Sequence, residues 1–138
     1  MALGVDTIFA EVCLELEIPF IAAVPFQDQG NRWPEVSQIR YNTLLKTAKK
    51  VVVVDEIAEY HSDHFGGKMA LRNKWMVDHS TLTIAVWDGS SGGTEGAVKM
   101  SRKKNQKILF LDPRRRTTCV ENPKVEENLI LEMFGKGS

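Results

Sequence analysis

The run from Trp87 to Met100, WDGSSGGTEGAVKM, gathers four glycines and two serines where an apolar segment, Thr83-Ile84-Ala85-Val86, gives way to a helical pattern. A tight turn needs one or two such residues. A longer glycine run lets main-chain N–H groups converge on an anion, because no side chains crowd them. A helix starting near Thr94 adds further N–H groups and a partial positive charge. Phosphate binding is the chemistry this arrangement suits, with Asp88, Gly89, Gly92, Gly93 and Thr94 as its candidates. Thr94 either caps that helix or offers its hydroxyl to the phosphate. Read alone, the run fits a plain turn as well. It lacks the Gly-Lys-Ser/Thr of a Walker loop and the GxGxxG of a dinucleotide fingerprint.

Other residues carry weaker signals. Arg72 and Asn73 lie in a helical stretch with Trp75 and Met76; they are either a solvated pair or contacts to a phosphate, ribose or base. Asp6 caps a helix from about Thr7 to Glu17. Glu11, one turn beyond Thr7, is a polar group for a site rim, and Glu95 falls in the first turn of a helix, where the dipole already favours an acid. His61, Asp63 and His64 share a polar loop, but no third ligand is placed by spacing, so no metal is expected. Trp33, Trp75 and Trp87 read as core, Trp87 being the one placed to flank a base. Basic clusters at Arg102–Lys107 and Arg114–Arg116 read as solvated faces.

The elements that must position these residues alternate. Behind the first helix, whose inner face is read as Ile8, Phe9, Val12, Cys13 and Leu16, comes an apolar run from Phe20 to Phe26. A second helix follows Pro34, with Val36, Ile39, Leu44, Leu45 and Ala48 facing inward. VVVVDE from Val51, LTIAVWD and KILFLD from Lys107 are short and unalternating, as strands covered on both faces read. Helices are expected at Lys68–Ser80, Thr94–Lys103 and Pro123–Phe134, the last carrying Val125, Leu129, Ile130 and Met133. The pattern predicts an α/β sandwich with a mainly parallel sheet. Ligands of such folds bind outside the carboxyl ends of the strands, which gathers Pro25-Phe26, Asp55-Glu56, Asp88–Thr94 and Asp112-Pro113 on one rim.

The 138 residues are expected to make one domain. Eighteen basic and eighteen acidic residues leave a formal net charge of zero, which gives no general attraction to nucleic acid or an anionic membrane. No apolar run approaches the roughly 20 residues of a membrane helix. Cys13 and Cys119 fit neither a disulfide framework nor a zinc pattern. With no visible signal peptide, a cytoplasmic location is expected.

Four separated motifs add a resemblance. Gly4, Asp6, Ala10 and Glu11 in GVD…AE, Pro25, Phe26, Gln29 and Trp33 in PFQDQ…RW, Arg72, Asn73, Trp75, Met76 and Asp78 in RNKWMVD, and Asp88, Gly92, Gly93 and Thr94 in DG…GGT are similar in order and spacing to the YpsA family. That family belongs to the SLOG superfamily of Rossmann-like nucleotide-binding proteins. The match covers about residues 1–113, leaving 114–138 as a basic connection and a last helix. The resemblance implies a Rossmann-like three-layer sandwich and a ligand bearing phosphate and ribose. The implied ligands are a nucleoside phosphate, ADP-ribose, or an NAD-derived or cyclic nucleotide signal. Gly4, Asp6, Pro25, Phe26, Arg72, Asn73, Asp88, Gly89, Gly92, Gly93 and Thr94 are the implied contacts, and no further cofactor is expected.

Relative to the family, an amino-terminal strand-helix unit is expected to be missing, which leaves a strand edge open. A homo-oligomer whose subunits complete one another is the expected assembly. A sensor or sequestering protein is the first functional reading. A second follows from the lysine-decarboxylase-like phosphoribohydrolases of the same superfamily: hydrolysis of an N-glycosidic bond, with Glu95 or Glu11 as the acid-base group. A third, nucleic-acid binding or a purely structural role, follows from the kinship of DNA-processing protein A, and the neutral charge argues against it.

Overall fold

The structure, a computed structural model, describes residues 4–124. Helices and strands alternate along it, and the chain divides after His79 into two compact units. The first unit holds helix α1 (Val5–Glu15), strand β1 (Ile21–Val24), helix α2 (Glu35–Thr47), strand β2 (Lys50–Val53) and helix α3 (Phe65–Asp78). The second holds β3 (Leu82–Val86), α4 (Gly93–Lys103), β4 (Lys107–Asp112) and β5 (Thr117–Glu121). This is a Rossmann-like α/β fold: the alternation predicts the α/β class, and the family resemblance implies the Rossmann-like form.

In the first unit β1 and β2 pair in parallel, with Ala23 opposite Val52 and Val24 opposite Val53. Parallel neighbours need a crossover, which α2 supplies. Successive side chains point to opposite faces of the sheet. Val24 packs with Ala10 of α1 and with Tyr41 and Leu44 of α2. Ala23 joins Val54 and Tyr60 on the other face, against Leu71 and Trp75 of α3. Helices therefore cover both faces.

Several local expectations shift. Asp6 does not cap α1; Gly4 takes that place at φ 87°, and Asp6 sits in the first turn. The helix stops at Glu15, before Pro19 is reached. Glu17 adopts φ 57°, and the Ile18 N–H donates to the Cys13 carbonyl at 2.8 Å, the six-to-one closure of a left-handed cap. Of the inner face expected for α1 only Cys13 is buried. Thr7, Ala10 and Cys13 are buried, while Ile8, Phe9, Val12 and Leu16 are exposed. On α2 the buried residues are Tyr41 and Leu44, with Val36 and Ile39 exposed. The strand expected across VVVVDE closes early: Val54–Glu56 forms a 3₁₀ turn whose Val54 is fully buried.

In the second unit α4 crosses over between the parallel β3 and β4. Val98 of α4 seals Ala85 and Ile108, and both Val98 and Ile108 are wholly buried. Ser101, also wholly buried, is satisfied by a 2.7 Å hydrogen bond with Thr83 Oγ1. The chain then turns at 113–116, with Arg116 at φ 52°, and returns antiparallel as β5. That strand was not anticipated from Thr117–Glu121. The opposite face of this sheet leaves Leu82, Ile84 and Val120 exposed, so β3 is not covered on both faces among the described residues. The helix expected at Pro123–Phe134 lies almost wholly outside the described residues.

Candidate functional site

The glycine run forms the link from β3 to α4. Gly89 has φ 90° and Gly92, which occupies the N-cap position of α4, has φ 149°. Both conformations strain any residue with a Cβ. Thr94 is thus inside the helix rather than its cap. Residues 88–94 are all exposed, and beyond their chain neighbours nothing lies within 4 Å of a Cβ built at Gly89, Gly92 or Gly93. The first turn of a helix directs main-chain N–H groups outward along its axis, so the loop faces solvent with small residues around a positive helix end.

Its entry is fastened. Asp88 Oδ1 accepts from the Ser90 hydroxyl at 2.6 Å and the Ser90 N–H at 3.0 Å, while Arg114 Nε lies 3.3 Å from Oδ2. The Ser90 bonds, helped by Arg114, hold the Asp88 carboxyl below its ordinary pKa. The Trp87 indole N–H donates to the Ser90 carbonyl at 2.8 Å, and its ring leans on Phe110 at 6.2 Å between centroids. A groove of about 510 Å³ runs beside this loop, lined by Trp87, Asp88, Gly89, Phe110, Asp112 and Arg115 among others. Asp112 Oδ1 accepts from the N–H groups of Arg114 and Arg115 at 2.9 and 3.1 Å, which sets the β4–β5 turn. In the sequence these arginines read only as a basic cluster. The one signal available was Asp112 followed by Pro113, an aspartate at the head of a turn.

In the first unit a second cluster forms. Arg72 is buried, and its Nη1 lies 3.5 Å from the Ala23 carbonyl and 3.7 Å from Asp6 Oδ2, while Nε donates to Asn73 Oδ1 at 3.0 Å. Burial lowers the guanidinium pKa and the Asp6 charge opposes that shift. Asp6 and the adjacent pair Arg72 and Asn73, far from it in sequence, are therefore one network. Pro25 is fully buried at the end of β1 and Phe26 meets Phe65 edge-on at 5.7 Å. A cavity of about 190 Å³ in this unit is lined by Gln27, Asp28, Asn31, Gln38, Tyr41 and Asn42 among others. It touches none of the residues singled out for binding.

The candidate acids are both engaged. Glu95 Oε1 lies 2.6 Å from Lys99 Nζ. Glu11 is held by Arg40, which lowers its pKa, the opposite of what a general acid needs. His61 sits between Asp55 and Asp63, each oxygen 3.0 Å from a ring nitrogen, and Asp55 also takes Lys68 at 2.6 Å. Among the described residues no group of three or more His, Cys, Asp or Glu is placed to hold a metal. No described helix is long and apolar enough to cross a membrane.

Polar loops at the carboxyl ends of parallel strands, one of them glycine-rich and leading into a helix, define the class as a Rossmann-like α/β protein. A family model described as the YspA SLOG family, named YpsA, matches residues 1–114, so the chain belongs to that family. Among curated proteins it is similar to the SPbeta prophage-derived protein YoqJ of Bacillus subtilis (strain 168), 32% identical over 89 residues, which are 60% of this chain and 52% of YoqJ. It is also similar to UPF0398 protein SH1465 of Staphylococcus haemolyticus, 24% identical over 99 residues covering 67% of this chain and 50% of that protein. A third relative is UPF0398 protein SaurJH9_1506 of Staphylococcus aureus (strain JH9), 28% identical over 92 residues covering 62% and 46%. The chain spans about half the length of the curated relatives it matches.

Proposed function

We propose that this chain binds a nucleotide carrying phosphate and ribose, as a sensor or a sequestering protein. The observation that carries the reading is the exposed 88–94 loop. A Cβ built at Gly89, Gly92 or Gly93 would meet no other side chain within 4 Å, and the run leads into the amino-terminal turn of α4. The start of a helix behind a glycine run suits an anion, because the main-chain N–H groups and the helix dipole both favour negative charge there. Trp87 and Phe110 beside it offer apolar surface for a base or sugar. In the first unit taken by itself, Asp6, Arg72 and Asn73 form a polar network in which Asp6 is partly exposed and Arg72 lies 3.7 Å from its carboxylate, a group suited to a sugar hydroxyl.

The test is calorimetric titration with nucleoside phosphates, ADP-ribose and cyclic nucleotides, repeated on Gly93→Leu. Micromolar or tighter binding by the wild type and at least a tenfold loss in a folded Gly93→Leu supports the proposal. Unchanged affinity in the folded variant overturns the phosphate assignment. Chromatography of the incubated nucleotide separates binding from hydrolysis, since turnover that Glu95→Gln abolishes would favour the enzymatic reading.

A further inference from the structure

The most apolar stripe of α1 has no cover among the described residues. Val5, Ile8, Phe9, Val12 and Leu16 recur at helical spacing and range from 44% exposed at Val12 to 63% at Leu16. The opposite side of the helix, through Thr7, Ala10 and Cys13, is the buried one. Single exposed apolar residues are ordinary, but a contiguous stripe of five large ones marks an interaction surface.

We propose that this stripe is a self-association surface, with α1 seated antiparallel on α1 of a second copy about a two-fold axis. A two-fold interface must be self-complementary. Positions 5, 9, 12 and 16 are symmetric about the middle of the helix. Antiparallel seating therefore sets Val5 against Leu16, and Phe9 against Val12, of the second copy.

Charge agrees. The chain has no net charge, so copies do not repel as wholes. Asp6 faces Arg72 and Glu11 is held by Arg40, which leaves Glu15 as the acid of α1 with no such partner among the described residues. Antiparallel seating carries each Glu15 towards the amino-terminal, partly positive end of the other helix. Five side chains about half exposed amount to on the order of 450 Å² per copy, so the pair would bury roughly 900 Å². This is near the lower bound of about 1,000 Å² for a specific interface before flanking residues are added. The expected assembly is a concentration-dependent dimer, and it does not depend on the nucleotide reading.

Sedimentation velocity over a concentration series tests it. The wild type should shift from monomer to dimer, and Val12→Glu should weaken the dimer at least about 100-fold. Val36→Glu, at an exposed position on α2, should leave it unchanged. Circular dichroism checks that each variant is folded. In a Cys119→Ser background, Phe9→Cys with Val12→Cys should give a covalent dimer on mild oxidation, a readout that needs no disruption of the fold. A wild type that stays monomeric throughout, or a dimer equally strong in Val12→Glu, overturns the proposal, whatever the nucleotide titrations show.

Discussion

Neighbouring glycines in the β3–α4 link make different demands. Gly92 needs its φ of 149°, so Gly92→Leu should cost about 1–3 kcal/mol in chemical denaturation. Gly93 has an ordinary φ and open space around it, so Gly93→Leu should unfold within about 1 kcal/mol of wild type while losing nucleotide affinity. The two variants thereby separate a backbone requirement from a binding requirement. His61 offers a pH test. Asp63 first, then Asp55, raise its pKa in the fold, so its NMR titration midpoint should lie above the roughly 6.5 of a free imidazole. The stabilisation linked to that shift is complete below about pH 6.5 and is lost as pH rises through the folded value. Hydrogen exchange at 58–64 should quicken accordingly. Asp55 works the other way: held low chiefly by Lys68, it stabilises above its ordinary pKa and the contribution fades as acid protonates it.

At the scale of elements, the second unit rests on α4 against β3 and β4. Ile108 is wholly buried between Val98 and Ala85, so Ile108→Ala should cost about 2–5 kcal/mol, read from the denaturation midpoint. In the first unit Arg72 ties α3 to β1 and α1, and Arg72→Ala should cost about 3 kcal/mol by leaving its partners short of a buried cation. The helix, the turn and the strand of 93–112 were legible because an uncovered glycine run and an unbroken apolar segment bound them sharply. β5 was not: Thr117–Glu121 is five residues, mostly exposed, and only its pairing with β4 makes it a strand. The period of α1 was legible, but periodicity names an apolar side without saying whether the chain itself covers it. Arg72, likewise, was legible as a helix residue beside Asn73, while its burial against Ala23 depends on a packing no spacing reveals.

For the molecule as a whole, an interface on α1 would make stability depend on concentration: the midpoint of thermal unfolding should rise with protein concentration in the wild type and stay level in Val12→Glu. The division after His79 raises a separate matter, because Trp33 and Trp75 belong to the first unit and Trp87 to the second. Replacing the first two with phenylalanine would leave one tryptophan, whose indole N–H is pinned to Ser90 in the very loop proposed to close on phosphate. Emission from that lone indole, excited at the red edge where tyrosine does not absorb, would then follow the glycine link without any attached dye, shifting in colour or intensity whenever an occupant rearranges Ser90.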